Sequence, residues 1–273
     1  MPATARLEYR DVTMHFAAGG SQKAFTAVSE VSFSVRDGEV VSLIGPSGCG
    51  KSTLLNIAAG LVAPSAGAAF VDGERVVEPN AHVAFMLQKD LLLPWRRVLE
   101  NVMFGVEIQG VPRDERRARA QALLAAFNLT EFAGHYPYQL SGGMRQRIAL
   151  ARTLAVDPTV LLLDEPFSAV DAQTRMVLQR DLALVLKRAR KTALLITHDL
   201  LEGVTLSDRV LVISQRPGRI IDEINIDLPD RDNPLARRQD AKVQSYMARL
   251  MDRLDIGAMA DQSLAHAIGQ APA

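Results

Sequence analysis

Apolar and polar residues alternate along residues 6–13 (Arg-Leu-Glu-Tyr-Arg-Asp-Val-Thr) and 25–36 (Phe-Thr-Ala-Val-Ser-Glu-Val-Ser-Phe-Ser-Val-Arg), the pattern of half-buried antiparallel strands. Asp37-Gly38 reads as a hairpin turn, and the apolar run 40–44 after it predicts a buried strand. Shorter strands are predicted at 68–72 and 82–87, about a turn at Asp72-Gly73. From residue 95 to 155 the spacing becomes helical. Val98 and Pro112 each open a helix, and Met144, Ile148, Ala151 and Ala155 form the stripe of another. The runs 159–163 and 193–197 are apolar throughout, as strands covered on both faces are. Between them a helix carries the stripe Leu178, Leu182, Val185 and Ala189. A hairpin over 208–214 and 219–228 follows. An amphipathic helix over 233–254 turns Val243, Met247, Leu250 and Leu254 inward and its basic face to solvent, and from Ile256 the chain reads as loose.

This order predicts an α/β chain: a parallel core, an antiparallel layer before it and a helical insertion within it. A length of 273 residues, 48% of them apolar, suffices for one large or two small domains. Lysines and arginines number 31 and acidic residues also 31, so no net field draws the chain to nucleic acid or anionic lipid. The single cysteine, Cys49, excludes an intramolecular disulfide and suits a reducing compartment. Its candidate roles are small filler and redox-sensitive thiol. No apolar run is long enough to span a bilayer, so a membrane role would need a partner.

The chemistry concentrates where strands end. Residues Gly45, Pro46, Ser47, Gly48, Cys49, Gly50, Lys51, Ser52 and Thr53 follow an apolar strand and lead into a helix, which reads as a phosphate-binding loop. Its glycines let successive N–H groups point inward, and the helix beginning at Lys51 adds its positive end. Lys51 would reach the β- and γ-phosphates, the Ser52 hydroxyl a Mg²⁺ ion, and Thr53 the α-phosphate. Asp164 and Glu165 close the strand 159–163, where a carboxylate pair is costly without a cation. Asp164 would hold Mg²⁺ through its water shell. Glu165, expected on the opposite face because neighbouring strand residues alternate, would orient and deprotonate a water. Gln88 and His198 also sit at strand ends, and ligands of open α/β sheets gather at such an edge. Phe16, read as a lone aromatic, is either the end of a surface patch or a platform for adenine. Ser141, Gly142 and Gly143 open a helix, as a plain cap or as a second site for one phosphate.

Taken together, residues 45–53, Gln88, the run Leu140-Ser141-Gly142-Gly143-Met144-Arg145-Gln146-Arg147, residues 160–166, 168–171 and His198 resemble the nucleotide-binding subunit of an ABC transporter. The resemblance covers about residues 5–228 in order and spacing, and the 140–147 run discriminates it from other P-loop ATPases. Residues 88–95 with 100–102 resemble the nitrate, sulfonate and taurine importer group, which includes uptake systems for thiamine-precursor pyrimidines. The fold so implied is a P-loop NTPase, RecA-like, with an ATPase domain over 1–230, a helical subdomain at about 93–155, and a C-terminal helix and tail over 231–273. The resemblance implies ATP and Mg²⁺ as ligands, Phe16 stacking on adenine, Glu165 as general base and His198 holding the γ-phosphate and water. Gln88, which by its strand-end position alone is either solvated punctuation or a neutral ligand to Mg²⁺ and the attacking water, would link the site to membrane subunits, while Asp171 reaches an opposing subunit. Ser141 and Gly143 would close over the nucleotide of a second copy. The implied partners are a homodimer mate, two integral membrane permease subunits and, indirectly, an extracytoplasmic solute-binding protein, at the cytoplasmic face of a bacterial inner membrane. The chain departs from the family pattern in Val170, where leucine is commoner, and in Phe16, where tyrosine is. A soluble ABC ATPase uncoupled from transport is the alternative; paired cassettes or coiled-coil arms, typical of such proteins, are absent from the sequence.

Overall fold

The computed structural model describes residues 4–17, 24–168 and 170–254. Two sheets form its frame. The first is antiparallel, with β1 (Ala5–Phe16), β2 (Phe25–Arg36), β4 (Ala66–Val71) and β5 (Glu74–Arg75) in the order β2-β1-β4-β5. The second holds β3 (Val40–Ile44), β6 (Val83–Met86), β7 (Val160–Asp164), β8 (Thr192–Ile196), β9 (Arg209–Ile213) and β10 (Ile220–Asn225) in the order β10-β9-β3-β8-β7-β6. All its pairs are parallel except β10 with β9.

Strand pleat sorts the core into layers. Val160 and Leu162 of β7 face the antiparallel sheet together with Val41, Leu43, Leu194 and Ile196, and helix α1 (Lys51–Ala58) is packed between with Leu54, Leu55 and Ile57. Tyr9 of β1 reaches into this layer and donates its hydroxyl to the Leu54 carbonyl at 2.9 Å. Leu161 and Leu163 point the other way. They meet α2 (Val98–Ile108), α3 (Arg113–Ala126), α4 (Gly142–Ala155) and α5 (Ala172–Arg188) in a second core. A third, smaller cluster joins Ile44, Val210 and Val212 to α6 (Leu200–Leu206) and α8 (Lys242–Arg253) through Val204, Val243 and Leu250. No helix of the described residues is long and apolar enough to cross a membrane.

Three local readings change. The predicted helix over 233–254 is two helices, α7 (Pro234–Arg237) and α8, and Arg237 turns inward instead of outward. Its guanidinium is buried and donates to the carbonyls of Pro229, Thr205, Ser207 and Leu228, an arrangement that a solvated basic face would not give. On α5 the inward face is Leu178, Leu182, Ala183 and Leu186, leaving Val185 half-buried and Ala189 exposed. Strand β1 runs three residues past its predicted end, over a register shift between Tyr9 and Val12 where Asp11 is left-handed at φ 49°. The chain from Ile256, read as loose, lies outside the described residues.

Candidate active site

The phosphate-binding loop leaves the buried end of β3 and turns directly into α1. At its start a side chain on Gly45 would come within 2.4 Å of Ile213 Cγ2, so the loop must press against β9. At its end Gly50 has φ 101° and a Cβ there would meet Val28 at 2.4 Å, which makes glycine the residue that fits both the turn and the contact with β2. Lys51 is buried. Its ammonium donates to the carbonyls of Gly45 at 2.7 Å and Pro46 at 2.8 Å, arching over its own loop. Cys49 is also buried, with its sulfur 3.7 Å from that ammonium and its body in the core between the sheets.

Above the loop opens a cavity of about 260 Å³. Ser47, Gly48, Gly50, Lys51, Ser52 and Thr53 line its floor, and Phe16, Phe25, Glu165 and Arg216 line its sides. Phe16 does not stand alone. The β1–β2 register sets it opposite Phe25, and the two rings stack with centroids 5.2 Å apart. Arg216 lies with its guanidinium carbon 4.4 Å from the Phe25 ring centroid and donates to the Gly48 carbonyl.

The carboxylates stand where β7 ends. Burial pushes the Asp164 carboxyl above the ordinary aspartate range, and the neighbouring Glu165 charge adds to this. A hydrogen bond from the Ser52 hydroxyl and the Lys51 charge oppose it. Glu165 diverges from Asp164 for a different reason than strand alternation: β7 stops at Asp164, and Glu165 is left-handed at φ 45°. That conformation costs an acidic side chain of order 1 kcal/mol and sends the carboxylate into the cavity. Its Oε2 accepts from Gln88 Nε2 at 3.0 Å and lies 3.3 Å from His198 Nδ1. One oxygen of Glu165, at the end of β7, therefore meets both Gln88 and His198, side chains delivered by the ends of β6 and β8.

Other expected site residues stay apart from the loop. Ser141 caps α4 by accepting from the Met144 N–H at 3.3 Å, and with Gly143 and Thr174 it lines a separate cavity of about 270 Å³. Gly142 is exposed beside it. Asp171 caps α5, accepting from the N–H groups of Gln173 and Thr174 at 3.1 and 3.0 Å, and these bonds hold its carboxyl below the usual aspartate range. Neither Ser141, Gly143 nor Asp171 touches the loop cavity.

The sequence around this site matches a family model described as ABC transporter over residues 28–168, just over half of the chain. The chain belongs to the ABC transporter family. As a member it is an ATP-binding subunit and an ATPase. It is 41% identical over 239 residues to the taurine import ATP-binding protein TauB of Rhizobium johnstonii, covering 88% of this chain and 91% of that one. To TauB of Burkholderia pseudomallei it is 45% identical over 227 residues, 83% and 86% of the two chains. Among solved structures, the ATP-binding cassette MJ0796, a dimer in a post-hydrolysis state bound to ADP and Pi, superposes with a TM-score of 0.72 at 30% identity, covering 81% of this chain and 99% of that chain.

The site of this ABC ATPase suits a nucleoside triphosphate with a small divalent cation. Ser52 hydroxyl and Asp164 carboxylate are hard oxygen donors of the kind that would hold such a cation. Gln88, the third expected cation ligand, donates its Nε2 to Glu165, a bond that does not use the carbonyl oxygen by which it would meet a cation. Phe25 and Arg216 were missed from the sequence. The signal for Phe25 was its place at the start of the strand facing Phe16; Arg216 carried none, because its contact with Gly48 spans 168 residues.

Proposed function

We propose that this chain is the ATP-hydrolysing subunit of an importer, working as a homodimer on two membrane permease subunits at the cytoplasmic face of a bacterial inner membrane. The observation that carries the catalytic part is Glu165: a carboxylate in the loop cavity, held on one oxygen by Gln88 and His198. For its 3.3 Å approach to an ionised carboxylate to be attractive, His198 must carry its proton on Nδ1, which leaves Nε2 free to face a γ-phosphate or water. Glu165 takes the proton of the attacking water. Lys51 exchanges the carbonyls of Gly45 and Pro46 for β- and γ-phosphate oxygens, and Phe16 with Phe25 offers the adenine a stacked platform. Mg²⁺ at Ser52 and Asp164 would neutralise charge on the β- and γ-phosphates. Ser141 and Gly143, presented on a separate face, serve the nucleotide of the second copy. The solute is a small sulfonate of the taurine type, on the strength of the TauB relatives, with nitrate and thiamine-precursor pyrimidines as the other members of the group. The solute-binding protein acts through the permease.

Glu165→Gln tests the base. We expect ATP affinity within about threefold of wild type and turnover reduced at least a hundredfold. Turnover at the wild-type rate would remove Glu165 from the chemistry. For the solute, the ATPase reconstituted with its permease and binding protein should be stimulated by taurine and not by an unrelated amino acid.

A further inference from the structure

We infer that Arg216 is a positioning residue for the phosphate cradle: it fixes the Gly48–Cys49 peptide with its N–H turned to receive phosphate. The turn between β9 and β10 is clamped onto the loop from outside. Gly218 donates to the Ala27 carbonyl at 2.9 Å and accepts from the Ser29 N–H at 3.0 Å, and a Cβ on Gly218 would lie 2.1 Å from the Cys49 carbonyl oxygen. From this anchored turn Arg216 sends Nε and Nη2 to the Gly48 carbonyl at 3.1 and 2.9 Å. A planar trans peptide points its C=O and the following N–H in opposite directions, so a guanidinium on the Gly48 oxygen turns the Cys49 N–H away from itself. Among the described residues no acceptor is in hydrogen-bond reach of that N–H.

The peptide needs such a hold. Gly48 has φ +74°, so one of the two pivots of the Gly48–Cys49 peptide lacks the side-chain sterics that oppose a flip. A flip would present a carbonyl oxygen where an anion is to bind. Phe25 completes the device: with its ring 4.4 Å from the guanidinium it keeps Arg216 over the loop, and it also stacks on Phe16. One stack thus joins the proposed adenine platform to the proposed phosphate cradle. The inference rests on the reading of residues 45–53 as the ATP site.

The test compares wild type with Arg216→Ala, Arg216→Lys and Lys51→Ala. ATP, ADP and GTP affinities are measured by calorimetry in the presence of Mg²⁺, with steady-state KM and kcat. A charge-assisted hydrogen bond that acts equally on ground and transition states should cost Arg216→Ala about tenfold in affinity for all three nucleotides, and the loss should fall on KM more than on kcat. Arg216→Lys, which keeps a charged donor for Gly48, should recover part of it. Because Arg216 is exposed, both variants are expected to fold, and the lysine variant carries the test if the alanine one does not. Affinity in Arg216→Ala within twofold of wild type, with Lys51→Ala failing to bind, would overturn the role of Arg216 and leave the ATP site standing. Wild-type ATP binding by Lys51→Ala would overturn the site reading itself. A loss for ATP without one for GTP would place Arg216 on the base and overturn its role in the cradle.

Discussion

Glu202 carries a carboxyl into the interior one helical turn beyond His198. It is 3% exposed and accepts from Gln179 Nε2 at 2.9 Å, and the Thr197 side chain also favours its charged form. Burial dominates these bonds. With the Asp199 charge beside it, the group is pushed up from 4.5 to about 7, against smaller opposing effects from Thr197, Gln179 and Arg175. Folding therefore raises its pKa, and between about pH 4.5 and 7 the native state keeps a proton that the unfolded chain has released. Stability should fall as pH rises through that window, by up to about 3 kcal/mol, and stay lowered above it. Glu202→Gln removes the titration. In urea denaturation from pH 5 to 8.5 the variant should show a flatter stability profile and exceed wild type at pH 8. Parallel profiles would show that the carboxyl is ionised throughout.

Helix α2 illustrates how an element holds a surface in place. Asn101, fully buried on its first turn, accepts from the Leu93 N–H at 2.8 Å and donates to the carbonyls of Leu93 at 3.1 Å, Arg96 at 3.0 Å and Arg97 at 3.2 Å. It thereby fixes the segment before α2, where Leu91 is 52% and Trp95 71% exposed, beside Gln88 and the catalytic edge. We propose that this segment is the surface that docks on the permease. Asn101→Ala leaves these backbone groups without their partner, at roughly 1–3 kcal/mol, and should raise hydrogen exchange over residues 91–97. The chain's own ATPase should persist while solute-stimulated turnover in the reconstituted transporter falls; stimulation at the wild-type level would argue against this surface. The elements themselves were legible wherever both faces are buried: β3, β7 and β8 are short apolar runs, and each hands a polar residue to the site. What escaped the sequence was set by pairing at long range. Phe25 joins Phe16 through strand register, Arg216 reaches Gly48 across the fold, and Arg237 finds carbonyls from two separate segments, 205–207 and 228–229. Glu165 reaches the cavity through its own left-handed backbone and not through strand alternation, and backbone handedness at one residue is not written in a hydrophobic pattern.

At the scale of the whole molecule the site is divided. The loop cavity gathers the phosphate cradle, the aromatic pair and Glu165, whereas Ser141, Gly143 and Thr174 line a cavity that shares none of these residues. The start of α4 offers helix N–H groups and a serine hydroxyl on an exposed surface, and among the described residues it forms no part of the loop cavity's lining. Two copies related by a two-fold axis would each present that surface to the other's loop, an isologous arrangement that closes two sites at once. With 31 basic and 31 acidic residues, no net charge opposes the approach. Dimerisation should then depend on ATP and on Ser141 together. In a Glu165→Gln background, where ATP is held without turnover, size-exclusion chromatography with light scattering should give a dimer with ATP and a monomer without it. Adding Ser141→Arg places a bulky cation at the start of α4, so the double variant should remain monomeric with ATP while its single-chain ATP affinity stays at that of Glu165→Gln. An ATP-dependent dimer formed as readily by the double variant would mean that the second cavity faces something other than the partner's nucleotide.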